Sequence, residues 1–238
     1  MLRIITVSTL PGGMLNAFIL IHGREAVLVD TGLPGHTRKI GKALATAGLD
    51  WGALRAVILT HGHIDHAGSA AEIARLSHAP IHAHEGDVPY LIGQKPLTRP
   101  TGWFGRIFRL TGMIERPYPK VAIDAPLQGA ADATLSFWPD QRLTLIPTPG
   151  HTPGSLSVLT QDGQVLAGDL LSSGILLGGI AWRSRTQQPP FEEDTRHVVQ
   201  SLQTLLDRGA RRFYLGHGGP VSAGQVQRHV DWLIRHRL

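Results

Sequence analysis

Two stretches of the chain, "ILIHGREAVLVD" (19–30) and "VLTQDGQVLAGD" (158–169), repeat one design: apolar run, polar turn, apolar run, terminal aspartate. Short β-type runs joined by a polar turn predict hairpins. A second pair corresponds further along, "RAVILTHGH" (55–63) with "RRFYLGHGG" (211–219). It sets His61 against His217, as the hairpins set Asp30 against Asp169. Two similar halves can pack their sheets face to face with helices outside. The polar residues that follow each strand then gather along one shared edge.

Hydrophobic periodicity predicts strands at 3–7, 15–21, 26–30, 55–60, 80–83, 133–138, 143–147, 155–160, 164–168 and 211–215. It predicts helices at 36–47, 67–77, 102–114, 192–208 and 222–236. The expected fold class is α/β, a four-layer αββα sandwich of two similar halves forming a single domain over 1–238. An inserted, helical, lid-like segment is expected at about 86–130.

Composition limits the chemistry. The chain is 42% hydrophobic and 17% charged, an ordinary globular balance. The longest uncharged apolar region, "LLSSGILLGGIAW" (170–182), is 13 residues, whereas a spanning helix needs about 20. The N-terminus lacks the apolar core of a signal peptide. The expectation is a soluble, cytoplasmic protein without a membrane partner. There is no cysteine, which excludes disulfides, thiolate nucleophiles and cysteine-type zinc sites. Any metal must use nitrogen and oxygen ligands. Six bases (Lys95, Arg99, Arg106, Arg109, Arg116, Lys120) lie between 95 and 120 against one acid, Glu115. A basic surface favours anionic partners, but a solvated helix face is the preferred explanation.

Four polar clusters follow apolar runs or lie in Gly/Pro loops: "THGHIDH" (60–66), "PTPGHTPGS" (147–155), "AGD" (167–169) and "LGHGG" (215–219). His61 and His63 are two apart, so a helix would point them nearly opposite ways and an extended segment puts them on one face. The pair can therefore grip one ion, while Asp65 and His66 turn away at the start of the next helix and suit a second. "GHTPGS" lacks the G-x-S-x-G elbow of a serine nucleophile, so Ser155 reads as a turn hydroxyl.

With its HxHxDH run His61-Gly62-His63-Ile64-Asp65-His66, followed by His151, Asp169 and His217, the chain resembles the metallo-β-lactamase superfamily along essentially its whole length. "VLVDTG" matches the family's early aspartate at Asp30. The resemblance implies that His61, His63 and His151 hold one metal, Asp65, His66 and His217 a second, and that Asp169 bridges them. Zinc fits the mixed set best, while iron, manganese and nickel also accept imidazole and carboxylate. Asp30 is expected to orient a ligand histidine; capping its own turn is the alternative. His82 and His84 fall outside the pattern and read as structural. His78, His197 and His229 read as surface or helix residues.

The implied chemistry is hydrolysis. Two divalent ions, two aspartates and a bridging hydroxide leave a net positive centre, which suits attack on a carbonyl or phosphoryl group. Asp65 is the candidate proton carrier. The family's zinc β-lactamases generally lack an aspartate at the Asp169 position, which makes penicillin hydrolysis an unlikely activity for this chain. Lactonases of acyl-homoserine lactones often carry a tyrosine where this chain has Ser172. Hydroxyacylglutathione hydrolases carry a helical domain after the last ligand, and 21 residues follow His217 here. The expected substrate is a small ester, lactone or thioester, with anionic character an option. Trp103, Phe104, Arg106 and Ser172 are the candidate pocket residues; packing of the insert on its own domain is the alternative. A phosphodiesterase or nuclease, an iron persulfide dioxygenase and a non-catalytic metal sensor are the competing readings. Nucleic acid is the lesser expectation as a partner, and a homodimer is left open.

Overall fold

The computed structural model describes residues 2–94 and 99–238; Lys95, counted among the bases of the insert, lies outside the described residues. The first sheet starts with β1 (Arg3–Leu10), β2 (Leu15–His22) and β3 (Glu25–Val29), an antiparallel meander. To it β4 (Leu54–Ile58), β5 (Ile81–His84) and β6 (Ala125–Leu127) add in parallel. The second sheet begins with a meander of β7 (Ala133–Trp138), β8 (Gln141–Pro147), β9 (Leu156–Thr160) and β10 (Gln164–Leu166). A separate small hairpin, β11 (Ser172–Ser173) with β12 (Thr186–Gln187), stands outside both sheets. β13 (Arg212–Tyr214) then joins β10 in parallel, and β14 (Val221–Ser222) edges it. The helices are α1 (Thr37–Thr46), α2 (Ile64–Ala67), α3 (Ala70–Ser77), α4 (Val88–Leu91), α5 (Trp103–Arg109), α6 (Thr195–Asp207) and α7 (Ala223–Arg237).

Three apolar layers lie between four structural ones. Strands such as "FILI" and "AVLV" carry apolar side chains at consecutive positions, so both faces must be covered. On one face of the first sheet Ile19, Leu28 and Val57 pack with Ile40, Leu44 and Ile73 of α1 and α3. The alternate residues Phe18, Leu20, Val27, Val29 and Ile58 point the other way, onto Leu143, Leu145, Val158 and Leu166 of the second sheet. Beyond it, Val165 and Phe213 meet Val198, Leu202 and Leu205 of α6 and Val226 and Val230 of α7. This is the expected αββα arrangement.

The two halves share a topology. β2, β3 and β4 pair antiparallel and then parallel, and β9, β10 and β13 do the same. Asp30 and Asp169 therefore leave equivalent strands, as do His61 and His217, and all four reach the same rim.

Several expectations need correction. The helix expected over 102–114 stops at Arg109, because Gly112 takes a left-handed φ of 61° and the chain turns back through Met113–Glu115. The helix expected over 67–77 begins earlier as the single turn α2 and resumes as α3. β6, β11, β12 and β14, each of two or three residues, were too short to leave a period in the sequence. Among the described residues, no helix is long and apolar enough to cross a membrane.

Candidate metal centre

β4 ends at Ile58, the chain bends at Thr60, and His63 is extended (φ −73°, ψ 151°) where α2 begins, with the His61 and His63 rings 4.7 Å apart. His61 and His63 therefore point to one side, and α2 lifts Asp65 and His66 beside them. The loops after β8, β10 and β13 bring His151, Asp169 and His217 to the same point. Three sets place their ligand atoms within 4.8 Å of one another: His61, His63 and His151; His61, His66 and Asp169; Asp65, His66 and His217. His63 Nδ1 lies 3.0 Å from His151 Nε2, and His217 Nε2 lies 3.2 Å from Asp169 and 3.3 Å from Asp65. The approach is close enough that a Cβ on Gly216 would collide with Asp169 and His66, so glycine is required there.

The donor set fits metal ions. His61, His63, Asp65, His66, His151 and Asp169 each keep a buried nitrogen or oxygen with no hydrogen-bond partner. Orphaned buried polar atoms are costly, and six in one cluster call for a shared partner. A metal cation would answer all six, and the charges suit one. Burial, then neighbouring imidazoles, push His61 far below its usual value and His63 down to about 3, so both are neutral donors. Burial opposes charge on His217, but Asp169 and Asp65 outweigh it and lift the imidazole to about 10. Burial likewise opposes charge on Asp65, yet His66 and His217 hold it near 2. The carboxylate side of the cluster thus demands positive charge, which protons supply when metal does not.

A second ring of residues fixes the imidazoles. His66 Nδ1 donates to Asp30 at 2.9 Å. His61 Nδ1 meets Thr60 Oγ1 at 3.1 Å, and that hydroxyl donates to Asp30 at 2.8 Å. Asp30 thus orients two histidines, one directly and one through Thr60, which is how metal ligands are commonly set. It does so from a left-handed backbone (φ 59°), and its N–H bonds Ile58 O at 2.9 Å. His217 Nδ1 donates to Met14 O.

The sequence reading missed three residues of this ring. Asp87 is buried and accepts from Gly62 N–H (2.7 Å), Gly154 N–H (2.7 Å) and Thr152 Oγ1 (2.8 Å), tying the His61–His63 loop to the His151 loop. Asn16 donates to Leu215 O and Gly218 O at 3.0 Å and so holds the His217 loop. Thr60 completes the set. Asp87 stood in "HEGD", where His82 and His84 drew attention instead. His84 turns out to bond Gly129 O (2.8 Å) and Gly86 N–H (3.1 Å), and His82 packs near Phe137; neither joins the cluster.

A cavity of about 80 Å³ opens onto His63, Asp65, His151, Asp169 and His217. Its walls are apolar: Leu10, Leu15 and Leu33 on one side, Phe108, Met113, Ile114 and Phe191 on another. The candidate pocket residues are elsewhere. Ser172 is buried in β11, facing the Gln187 carbonyl; Trp103 and Phe104 line a different cavity; Arg106 lines neither. The cause is the early end of α5. Only its last turn, at Phe108, reaches the metal cavity, and the turn after Gly112 delivers Met113 and Ile114 in place of the helix start. Ser155 donates no nucleophile; its Oγ accepts from Thr152 N–H at 3.0 Å.

With two sheets in αββα order and a His/Asp cluster at their common rim, the structure defines the class of αββα sandwiches that carry a candidate metal centre at the sheet edge. The sequence profile of the metallo-beta-lactamase superfamily matches residues 10–217. The chain belongs to that superfamily. The probable metallo-hydrolase YflN of Bacillus subtilis is 30% identical over 207 residues, 82% of this chain and 76% of the relative. A hydroxyacylglutathione hydrolase of Anaeromyxobacter dehalogenans is 32% identical over 154 residues, covering 65% of this chain and 45% of that protein. The solved structure of TTHA1623 in a di-iron-bound form is 26% identical with a TM-score of 0.63, covering 90% of this chain and 92% of that one. That form of the neighbour is di-iron-bound, so the fold alone does not select the metal.

Proposed function

We propose that this chain is a binuclear metal-dependent hydrolase that cleaves an ester, lactone or thioester bond in a small molecule with an apolar acyl part. One divalent ion would be held by His61, His63 and His151, a second by Asp65, His66 and His217, with Asp169 between them. Such ions supply a nucleophile at neutral pH, by lowering the pKa of water, and an electrophile that polarises a carbonyl oxygen. Zinc suits the ligands, and iron, manganese and nickel remain candidates.

The chain's own residues do the rest. Asp65 faces the cavity with Oδ1 unpartnered, and, held as a carboxylate near neutral pH, it can take a proton there and pass it to the leaving oxygen or sulfur. Leu10, Leu33, Phe108 and Ile114 exclude water and seat the acyl group. The observation that carries the substrate reading is this wall: among the described residues no lysine or arginine lines the cavity. An anionic substrate, which the insert's arginines had suggested, would meet no lysine or arginine there beside the metal ions, so the support that the basic insert lent to a phosphodiester falls away. The thioester option draws on the hydroxyacylglutathione hydrolase relative.

The test is a panel on metal-loaded protein: p-nitrophenyl butyrate, a γ-lactone bearing an alkyl chain, an acyl thioester and bis-p-nitrophenyl phosphate. Turnover of one of the first three, and no more than trace turnover of the phosphodiester, is expected. Hydrolysis of the phosphodiester alone would overturn the reading.

A further inference from the structure

A larger cavity of about 510 Å³ lies beside the metal cavity and shares only Pro190 with its lining. Gly105 of α5 sits so close to the Pro190 carbonyl that no Cβ would fit between them. Thr101 reinforces this seam by donating to Pro190 O through its backbone at 3.0 Å and to Pro189 O through its hydroxyl. The two cavities are therefore separate sites. The second falls in the usual size range for small-molecule pockets, roughly 300–1,000 Å³.

Its chemistry is unlike that of the first. Arg185, Arg228 and Arg237 line it, and no aspartate or glutamate does. Among the described residues none of these three guanidiniums lies in an ion pair. Arg237 feels the charge of nearby Glu192, but none of the three is paired, and three guanidiniums around one hollow favour a multiply charged anion; guanidinium suits phosphate oxygens in paired contacts. Flat aromatic surface accompanies the charge. Trp103, 71% exposed, lines the same hollow; Trp232 lines it too, but its ring already stacks on His229 (6.1 Å) and His236 (5.4 Å) and carries the Arg237 guanidinium 5.3 Å from its centre. An exposed indole such as that of Trp103 is a stacking platform for heteroaromatic rings. Two further lining residues have unmet polar atoms. His229 is 3% exposed with Nε2 unpartnered, and Gln188 has Oε1 unpartnered. An inorganic anion would answer the arginines alone; the exposed indole and the polar edge call for a ring with donors and acceptors.

We propose that this cavity binds a nucleoside phosphate, with its phosphate on Arg185, Arg228 and Arg237 and its base on Trp103. The site stands independently of the reaction at the metals.

The test titrates the metal-loaded, full-length protein with adenosine 5′-monophosphate, following tryptophan fluorescence and binding heat. Adenosine and inorganic phosphate are titrated in parallel. Saturable binding of the monophosphate, at least tenfold tighter than either fragment, is expected. The Arg228→Ala/Arg237→Ala double variant should weaken it at least tenfold, and Trp103→Ala should weaken monophosphate and adenosine alike. Melting curves of each variant confirm folding; Arg228→Gln alone serves if the double variant fails to fold. Absence of binding at millimolar monophosphate would overturn the proposal. So would equal binding by inorganic phosphate, unchanged binding in the arginine variants, or binding that a chelator abolishes.

Discussion

Replacing Asp30 with asparagine isolates the orienting role of a residue that touches no substrate. The carboxylate is buried, with Oδ1 on Thr60 N–H at 2.8 Å and Oδ2 on His66 Nδ1 at 2.9 Å and on the Thr60 hydroxyl at 2.8 Å. Asparagine tolerates a positive φ, so the backbone at φ 59° is preserved. An amide offers one acceptor oxygen where the carboxylate offers two. Either the Thr60 N–H or the His66 Nδ1–H must then face an NH2 group. An unpaired buried donor costs about 1–3 kcal/mol. Losing the partner of a metal-binding histidine costs about 10–100-fold in metal affinity, which is about 1.4–2.8 kcal/mol at roughly 1.4 kcal/mol per decade. The two routes agree. Asp30→Asn should lose metal to a chromophoric chelator at about 10–100-fold lower chelator concentration than wild type, and melt about 2–10 °C lower. A folded variant that retains metal as tightly as wild type would refute the orienting role. Asp30→Ala is a poorer probe, because it also strains the left-handed backbone.

Other consequences follow from the same geometry. Asp87→Asn should leave Gly154 N–H or Gly62 N–H unpaired between the two metal loops; a loss of about 1–3 kcal/mol in denaturant unfolding is expected, and an unchanged midpoint would contradict the clamp. Phe108→Ala removes the main aromatic wall of the metal cavity. It should raise KM for a long-chain ester more than for an acetate, with metal content intact; equal effects on both substrates would argue against an acyl pocket. Burial lifts Glu192 to about 7 from its ordinary 4.5, so the folded state favours its protonated form. That contribution is full below the unfolded value and is lost as pH rises through about 7, a change of about 3 kcal/mol at roughly 1.36 kcal/mol per unit. Glu192→Gln should lack this loss, and parallel stability curves for the two proteins between pH 4.5 and 8 would sink the assignment.

The sandwich was legible because its signal is written in strand period and written twice. "ILIHGREAVLVD" and "VLTQDGQVLAGD" became β2–β3 and β9–β10, and the aspartates that close them sit on one rim. The seven candidate ligands were legible through the resemblance to a known motif set, placed after apolar runs or in a Gly/Pro loop, and the structure brings them to one rim. What stayed hidden depends on tertiary approach rather than period. Asp87 and Asn16 act through backbone groups from distant loops, and no spacing in the sequence announces such contacts. The insert misled for a related reason. One helix was expected over 102–114, whereas the helix ends at Arg109, the chain turns at Gly112, and Ile107 and Leu110 stand exposed at 57% and 87%. The basic residues there coloured the expected substrate, yet the metal cavity proved apolar.

The measurement nearest to the central claim is the metal content of purified, reconstituted protein beside the Asp169→Ala variant. Two equivalents per chain in the wild type, falling to one or fewer in the variant with loss of turnover, is the predicted result. A wild type that binds less than one equivalent, or a variant that keeps two and stays active, would contradict the account of four distant loops joined around a pair of ions.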